Sequence, residues 1–246
     1  MERFSSRERF SSRAQAYAAF RPAYPAAAID AVLAGLGDPH GLALADVGAG
    51  TGISARLFAD RGCKVVAIEP NLRMREAAEK HSLVEWRDGS AEQTGLPDKS
   101  VDAVVACQAF HWFATPAAMA EFTRIARRRA ALLQYERDER SPFTRAYGEI
   151  VRRYAADDTE ALRARGLEVF AAFPHAAVTR SESYATQSLD REALLGRASS
   201  SSYLPQSGPQ AASLQRDLGE LFARYRRDGR VELLMVTYAL VADLQP

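Results

Sequence analysis

The sequence predicts an α/β protein with a doubly wound, mostly parallel β-sheet and helices on both of its faces. Short apolar runs of the strand type alternate with stretches of helical spacing through the first half of the chain, and a glycine-rich turn follows the first apolar run. The 246 residues and 47% hydrophobic composition suit one domain with a full core. In such sheets a ligand binds beyond the carboxyl ends of the strands, where the strand order reverses.

The glycine-rich turn follows the first predicted strand, residues 42–47. Gly48, Gly50 and Gly52 occupy alternate positions, which permits a tight backbone and leaves room for a ligand against the main chain. The helix predicted over 52–61 adds unpaired N–H groups and a partial positive charge, which favour an acidic ligand group. The spacing differs from the Gly-x-Gly-x-x-Gly of dinucleotide-binding turns. A glycine turn without a cofactor is the alternative interpretation.

An acidic residue ends the second predicted strand, residues 63–68. Glu69 follows the glycine turn by about 20 residues, a spacing that suits a carboxylate holding a ribose diol. Hydrogen bonds to such a charged group contribute about 1.5–3 kcal/mol each. The alternative is a carboxylate that caps the helix predicted over 71–80.

The remaining predicted elements continue the alternation and then add an insertion. In chain order they are a helix over 25–36 before the first strand, strands over 83–87 and 101–106, a helix over 116–128, a strand over 130–135, a helical cap over about 141–172, a strand over 178–186, a helix over 189–197, a loop over 199–205, a helix over 209–227 and a closing strand over 231–241.

Charge and cysteine content exclude several classes of protein. The formal net charge of +1 disfavours general binding to nucleic acid, and the run 127–129 of three arginines is expected to end a helix in solvent. Cys63 and Cys107 have neither metal-type spacing nor a disulfide framework, which fits a reducing cytoplasm. No apolar stretch is long enough to cross a membrane, so neither a membrane nor a nucleic acid is an expected partner.

The amino-terminal segment 1–25 is rich in aromatic side chains near its end. Tyr17 and Tyr24 flank Arg21, and no predicted strand or long helix uses these rings. We therefore expect this segment to close over a ligand as a lid that excludes water. The rest of the chain, residues 26–246, forms the main domain.

Several separated motifs carry a resemblance to a known family. They are Tyr-x-x-x-Arg-Pro-x-Tyr-Pro at 17–25, the glycine turn, Glu-Pro-Asn-x-x-Met-Arg at 69–75, Gly-x-Ala-Glu at 89–92, Gln-Ala-Phe-His-Trp-Phe at 108–113 and Gly-Arg-x-x-Ser-Ser-Ser-Tyr-x-Pro at 196–205. In their order and spacing the chain resembles class I S-adenosylmethionine (SAM) methyltransferases of the small-molecule branch, and more narrowly a bacterial and fungal group. The resemblance implies a Rossmann-like, seven-stranded, mostly parallel sheet with a small helical cap insertion and a hairpin-like final pair of strands.

The resemblance also implies a cofactor, SAM, and residues that hold it. The residues expected at the cofactor are Asp46 at its amino group, Gly48, Gly50 and Gly52 along its methionine part, Glu69 at its ribose, Asn71 and Met74 near its adenosine, Ser90 and Ala91 beside its adenine, and Gln108 closing the site.

Catalytic and substrate residues follow from the same motifs. The candidates for catalysis are His111 as a general base, Tyr17 and Tyr135, and the substrate pocket is expected to contain Arg21, Tyr24, Trp112, Phe113, Ser201 and Tyr203. The alternatives are a histidine that only packs beside a tryptophan, ordinary core aromatics and a plain serine loop. Members of this group tend to carry Asn-Glu-Arg where this chain has Tyr135-Glu136-Arg137. A phenol therefore replaces a polar amide near the expected substrate, which leaves both the substrate and the reaction open.

Three function classes follow from this interpretation. The first is a methyltransferase acting on a small-molecule metabolite. The second is a SAM-consuming enzyme of the same fold, in which the cofactor's own amino group displaces methylthioadenosine and closes a cyclic amino acid. The third is a non-catalytic SAM-binding module. The Asn/Asp-Pro-Pro-aromatic motif of protein and DNA amino-methyltransferases is absent, since residues 106–112 occupy its place.

Overall fold

A seven-stranded sheet forms the centre of the protein. The computed structural model describes residues 22–173 and 176–244. Within them the strands are β1 (Ala43–Val47), β2 (Lys64–Ile68), β3 (Val84–Arg87), β4 (Val101–Cys107), β5 (Ala126–Arg137), β6 (Ala176–Leu189) and β7 (Val231–Leu244). Their order is β3-β2-β1-β4-β5-β7-β6. The first five strands are parallel, and β7 runs antiparallel to both of its neighbours. The predicted mostly parallel sheet of seven strands is confirmed.

Helices cover both faces of this sheet. They are α1 (Ala26–Leu33), α2 (Ile53–Ala59), α3 (Leu72–Glu76), α4 (Pro116–Ile125), α5 (Pro142–Tyr154), α6 (Thr159–Ala171), α7 (Arg191–Ser199) and α8 (Gly208–Tyr225), with short 3-10 turns at Pro39–Gly41 and Phe110–Trp112. Successive side chains of a strand point to opposite faces. Accordingly Leu44 packs in the core shared with α1, α2, α5, α7 and α8, whereas Ala45 packs in the core shared with α4 and α6. None of the described helices is both long and apolar enough to span a bilayer.

Local capping explains where several helices begin. The Asn71 side chain accepts a hydrogen bond from Arg73 N at 3.0 Å and so caps α3. Thr115 caps α4 by accepting from Ala118 N, and Pro116 follows at the first helical position. Such side-chain caps satisfy backbone N–H groups that the helix itself leaves unpaired.

The boundary between α4 and β5 differs from the prediction. The helix predicted over 116–128 ends at Ile125, so the arginine run 127–129 lies on β5 and does not end that helix in solvent. The reason is tertiary: Arg128 and Arg129 donate to main-chain carbonyls at the carboxyl end of α1, including those of Leu36 and Val32. The attraction of cations to a helix carboxyl terminus operates here, but toward a different helix.

The last strands also differ in length and connection. β6 and β7 pair antiparallel over 14 residues each, in agreement with the final pair that the resemblance implies. Their connection is long, however, because α7 and α8 lie between them. The predicted insertion over 141–172 contains α5 and α6, and α6 packs against the Phe110–Trp112 turn. Residues 1–21 of the predicted lid lie outside the described residues.

Arg129 provides a test of what holds the carboxyl end of α1 on the sheet. It is 6% exposed, and its guanidinium donates to Asp243 and to the carbonyls of Val32 and Ala34, each at 2.7 Å. Arg129→Met leaves these three oxygens without their donor, so we expect the free energy of unfolding to fall by about 2–4 kcal/mol. Urea denaturation measures this change. Arg153→Met, which removes an exposed pair with Asp217, is the control and should change stability by less than about 1 kcal/mol.

Candidate functional site

A partly enclosed cavity of about 250 Å³ lies beyond the carboxyl ends of β1, β2 and β4. The chain leaves β1 toward β2 and β3 on one side and returns to β4 on the other, so this is the point where the strand order reverses. Most of the residues predicted for the site line it: Tyr24, Gly48, Gly50, Glu69, Asn71, Met74, Ser90, Ala91, Gln108, Trp112, Phe113 and Tyr135.

The glycine turn has a conformation that other residues rarely adopt. Gly48, Gly50 and Gly52 all have positive φ, between 59° and 76°. A Cβ at Gly48 would stand 2.7 Å from the Cβ of Ala109 and 3.0 Å from the ring of Phe113. A Cβ at Gly52 would stand 2.7 Å from the Trp86 ring, which places Gly52 in a packing contact outside the cavity lining. The turn therefore presents bare main chain to the cavity.

Asp46 is the second-last residue of β1, just before this turn; it is fully buried and lies outside the cavity lining. Its Oδ2 accepts a hydrogen bond from Ser54 Oγ at 2.6 Å, whereas Oδ1 is buried without a hydrogen-bond partner among the described residues. The pKa of Asp46 is raised to about 7, chiefly by burial; the hydrogen bond from Ser54 opposes this rise, and the nearby Glu69 charge adds to it. Sequence reasoning missed Ser54, which lines the cavity; its position in the first turn of the helix after the glycines was the available signal.

The carboxylate of Glu69 joins two backbone segments at the cavity. Its Oε2 accepts from Gly50 N and its Oε1 accepts from Asn71 N, both at 2.9 Å. The side-chain cap of α3 is Asn71, which leaves the Glu69 carboxylate at the cavity wall. Arg75 donates from its guanidinium to the Glu69 carbonyl oxygen, which adds a further tie at this turn.

Gln108 and Tyr135 form the wall on the side of β4 and β5. Gln108 has a φ of 54°, a conformation that costs a non-glycine residue energy and is concentrated at functional sites. Its Nε2 donates to the Tyr135 carbonyl at 2.7 Å. The Tyr135 ring lies 5.8 Å from the Tyr24 ring, centroid to centroid. Tyr135 was predicted to end its strand, but β5 continues to Arg137.

His111 lies behind the cavity wall. It is 8% exposed, and its ring centroid is 4.8 Å from that of Trp112, which does line the cavity. On its other side α6 approaches so closely that a Cβ at Gly166 would stand 3.2 Å from His111 Cα. The histidine is therefore positioned by the Phe110–Trp112 turn and covered by α6.

The other predicted substrate residues lie apart from the cavity lining. Ser201 and Tyr203 are buried in the loop after α7, where the Tyr203 carbonyl accepts from Ala156 N at 2.8 Å. Tyr17 and Arg21 fall outside the part of the chain that the structure describes. Across residues 22–173 and 176–244, no group of three or more His, Cys, Asp or Glu side chains is placed to hold a metal ion.

Comparison with known proteins identifies the family. A family model described as a methyltransferase domain matches residues 45–133. The chain is 33% identical to an uncharacterized methyltransferase of Mycobacterium tuberculosis over 239 residues. This alignment covers 95% of this chain and 88% of that protein. The chain belongs to the class I SAM-dependent methyltransferases. The cofactor of this methyltransferase is therefore SAM.

Solved structures agree with this assignment at the level of the fold. A candidate type II methyltransferase from Anaeromyxobacter dehalogenans superposes with a TM-score of 0.66 at 22% identity, over 92% of this chain and 98% of that chain. A candidate methyltransferase from an antibiotic biosynthesis pathway of Anabaena variabilis superposes with a TM-score of 0.61 at 25% identity, over 85% and 95%.

The site of this methyltransferase fits SAM on two structural observations. The main chain at Gly48 and Gly50 has no side chain between it and the cavity, so a ligand can approach the backbone closely. The buried Oδ1 of Asp46 is an acceptor without a donor in the described chain, and the cofactor carries an ammonium group.

The raised pKa of Asp46 makes stability depend on pH. The folded-state pKa of about 7 exceeds the ordinary value of 3.8, so between these values the folded state binds more protons than the unfolded state. The stability of the ligand-free protein should therefore fall as pH rises from about 4 to about 7 and level off above it, because the buried group resists ionisation. In Asp46→Asn, the loss of unfolding free energy between about pH 4 and about pH 7 should be smaller by about 2–4 kcal/mol. Urea denaturation at a series of pH values measures this loss.

Asp228→Asn is the control for the pH experiment because Asp228 is exposed in a turn. Its stability curve should follow that of the wild type at every pH. Parallel curves for the wild type and Asp46→Asn would contradict the predicted burial cost.

Proposed function

We propose that this methyltransferase transfers the SAM methyl group to a small-molecule metabolite. The carrying observation is the shape of the site: a partly enclosed cavity with aromatic side chains of Tyr24, Trp112, Phe113 and Tyr135 in its lining. Such concave, largely apolar sites bind small molecules. The Anabaena relative, described as part of an antibiotic biosynthesis pathway, supports a small-molecule substrate.

The cofactor residues act mainly by alignment. SAM supplies an electrophilic methyl group on a sulfonium with a good leaving group. Gly48 and Gly50 admit its amino acid part against the backbone, and Asp46 accepts from its amino group, directly or through water. Holding reactants in line can lower a barrier by about 7–11 kcal/mol.

Glu69 retains the capacity to hold the ribose although both of its oxygens already accept backbone N–H groups. A carboxylate has about four lone-pair sites, so about two remain for hydroxyl donors. The bonds from Gly50 and Asn71 hold the carboxylate in one orientation before the ligand arrives. Met74, Ser90 and Ala91 also line the cavity, and in this proposal they border the adenosine.

The substrate side has a base and a set of aromatic rings. His111 stays the predicted base; it packs against Trp112, which lines the cavity, and as a base it must come within hydrogen-bond reach of the acceptor. Trp112 and Phe113 can face the sulfonium, with cation–π contacts of about 0.5–2 kcal/mol. Tyr17, Arg21 and the lid of residues 1–25 remain predictions for the closing wall.

Glu69 allows a direct test of the cofactor assignment. We expect Glu69→Ala to weaken binding of SAM and S-adenosylhomocysteine by about 10–100-fold, because the substitution removes the diol acceptor and frees the two backbone donors. Titration calorimetry measures both affinities. Glu79→Ala is the control, since its carboxylate is exposed in the loop after α3 and outside the cavity lining.

Glu69→Gln refines this test because its amide oxygen can still accept one hydrogen bond. It should bind with an affinity between those of the wild type and Glu69→Ala. Tight binding of NADH without binding of SAM would overturn the cofactor role.

The products formed from SAM test the reaction. Incubated with SAM alone, the protein should form no methylthioadenosine above the rate without enzyme, and S-adenosylhomocysteine should appear only when a pool of metabolites is added. Mass spectrometry distinguishes the two products. The physical reason is that the geometry selects which carbon of the sulfonium lies in line with a nucleophile. Catalytic accumulation of methylthioadenosine from SAM alone would instead indicate intramolecular cyclisation.

A further inference from the structure

Arg197 is a buried arginine that the cofactor site does not use. It is the second residue of the Gly-Arg motif and lies on α7, 6% exposed. Its Nε is buried and has no hydrogen-bond partner within residues 22–173 and 176–244. The group lies 5.7 Å from the centroid of the Tyr135 ring, which lines the cavity.

Arg129 shows how the same fold treats a buried arginine with a structural role. Arg129 and Arg197 are both 6% exposed, and no other arginine in the described ranges is as deeply buried. Arg129 donates to three oxygens, whereas Arg197 faces the ring of Tyr135 and its buried Nε has no acceptor in the described ranges. Burying a charge without an oxygen partner costs stability, so the contrast indicates that Arg197 is kept for a partner outside the described chain.

A second arginine, Arg163 on α6, also has a buried Nε without a hydrogen-bond partner in the described chain. Its guanidinium carbon lies 5.9 Å from the centroid of the Tyr203 ring, in the loop directly after α7. One turn along α6, Gly166 packs on His111. Arg163 thus contacts the loop that follows α7, outside the cavity lining.

We propose that Arg197 binds an oxyanion of the methyl acceptor, so that the substrate is a small organic acid. This inference rests on the proposed function and adds the chemical class of the substrate. Arg197 contacts Tyr135 on β5, whereas Glu69 follows β2, on the other side of β1 and β4 in the sheet, so the acid group occupies the Tyr135 side and leaves the cofactor side free. A guanidinium presents parallel N–H donors that match a carboxylate or a phosphate in a bidentate pair.

The binding of an anion also explains why the guanidinium of Arg197 packs against an aromatic ring. The planar guanidinium stacks on aromatic faces, so Tyr135 holds it without satisfying its N–H donors. A bound oxyanion then supplies the missing acceptors and the missing negative charge. This arrangement selects against neutral analogues because a neutral ligand would leave the buried charge unpaired.

The test compares Arg197→Met with Arg129→Met in the full-length protein. Without substrate, Arg197→Met should keep or raise the melting temperature, by up to about 2–4 °C, because it removes an unpaired buried charge. Arg129→Met should lower it. Calorimetry should give the same affinity for SAM in Arg197→Met as in the wild type. A melting temperature that falls as far in Arg197→Met as in Arg129→Met would make Arg197 structural and overturn the proposal.

The substrate class is tested with defined probes. Benzoate, succinate and citrate are compared with their amides, and phenyl phosphate and glycerol phosphate distinguish phosphates from carboxylates. At equal ionic strength and with SAM present, at least one acid should raise the melting temperature of the wild type, whereas its amide should not, and Arg197→Met should lose this shift. Shifts that are equal in the wild type and Arg197→Met, or larger for the amides, would overturn the proposal.

Turnover gives an independent measurement. A metabolite extract is separated on an anion-exchange resin, and S-adenosylhomocysteine formation is followed in the bound and unbound fractions. We expect product from the bound fraction, with kcat/KM reduced about 10–100-fold in Arg197→Met and less in Arg197→Lys. Product from the unbound fraction alone would overturn the oxyanion site but support the methyltransferase. If neither fraction gives product, the proposed function fails, and the thermal shifts alone decide the oxyanion site.

Discussion

The hydrogen bonds between Glu69 and the backbone of Gly50 and Asn71 hold together the two turns on which the site is built. The ends of β1 and β2 are also tied through Gly48 N and Ala49 N, which both donate to the Ile68 carbonyl. One carboxylate therefore orients the glycine turn and the start of α3 at the same time. Because these bonds exist in the ligand-free protein, the cofactor side is arranged before the ligand arrives, and little ordering is left to oppose binding.

Two buried charged groups give the two sides of the site opposite electrostatic character. Asp46 lies under the glycine turn with an acceptor oxygen unused by the described chain, and its pKa is raised by burial. Arg197 contacts the ring of Tyr135, and its buried Nε has no acceptor in the same part of the chain. Neither arrangement maximises the stability of the empty protein, since buried charges cost free energy without partners. Arg129, with three oxygen acceptors, is the compensated counterpart in the same fold.

The fold could be predicted from local patterns, with errors only where tertiary contacts decided the outcome. Apolar runs and helical spacings located all seven strands, because each buried strand must be apolar and each covering helix amphipathic. The end of α4 was misjudged because three consecutive arginines look like a solvated helix end. The carbonyl partners of Arg128 and Arg129 lie at and just after the end of α1, more than 90 residues earlier in the chain, and no local pattern contains that contact.

The sequence by itself determined which residues of the cofactor side line the cavity. The glycines, Glu69 and Gln108 lie in short motifs whose spacing places them at strand ends, and the strand ends of a parallel sheet meet at one edge. Only the tertiary structure decided that His111 lies behind Trp112 under α6, that Gly52 packs on Trp86, and that Arg197 is buried beside Tyr135 without an acidic partner in the described chain. The physical reason is that burial and charge compensation are properties of the whole packed chain. A motif specifies which groups are present, whereas packing decides which of them are left without partners.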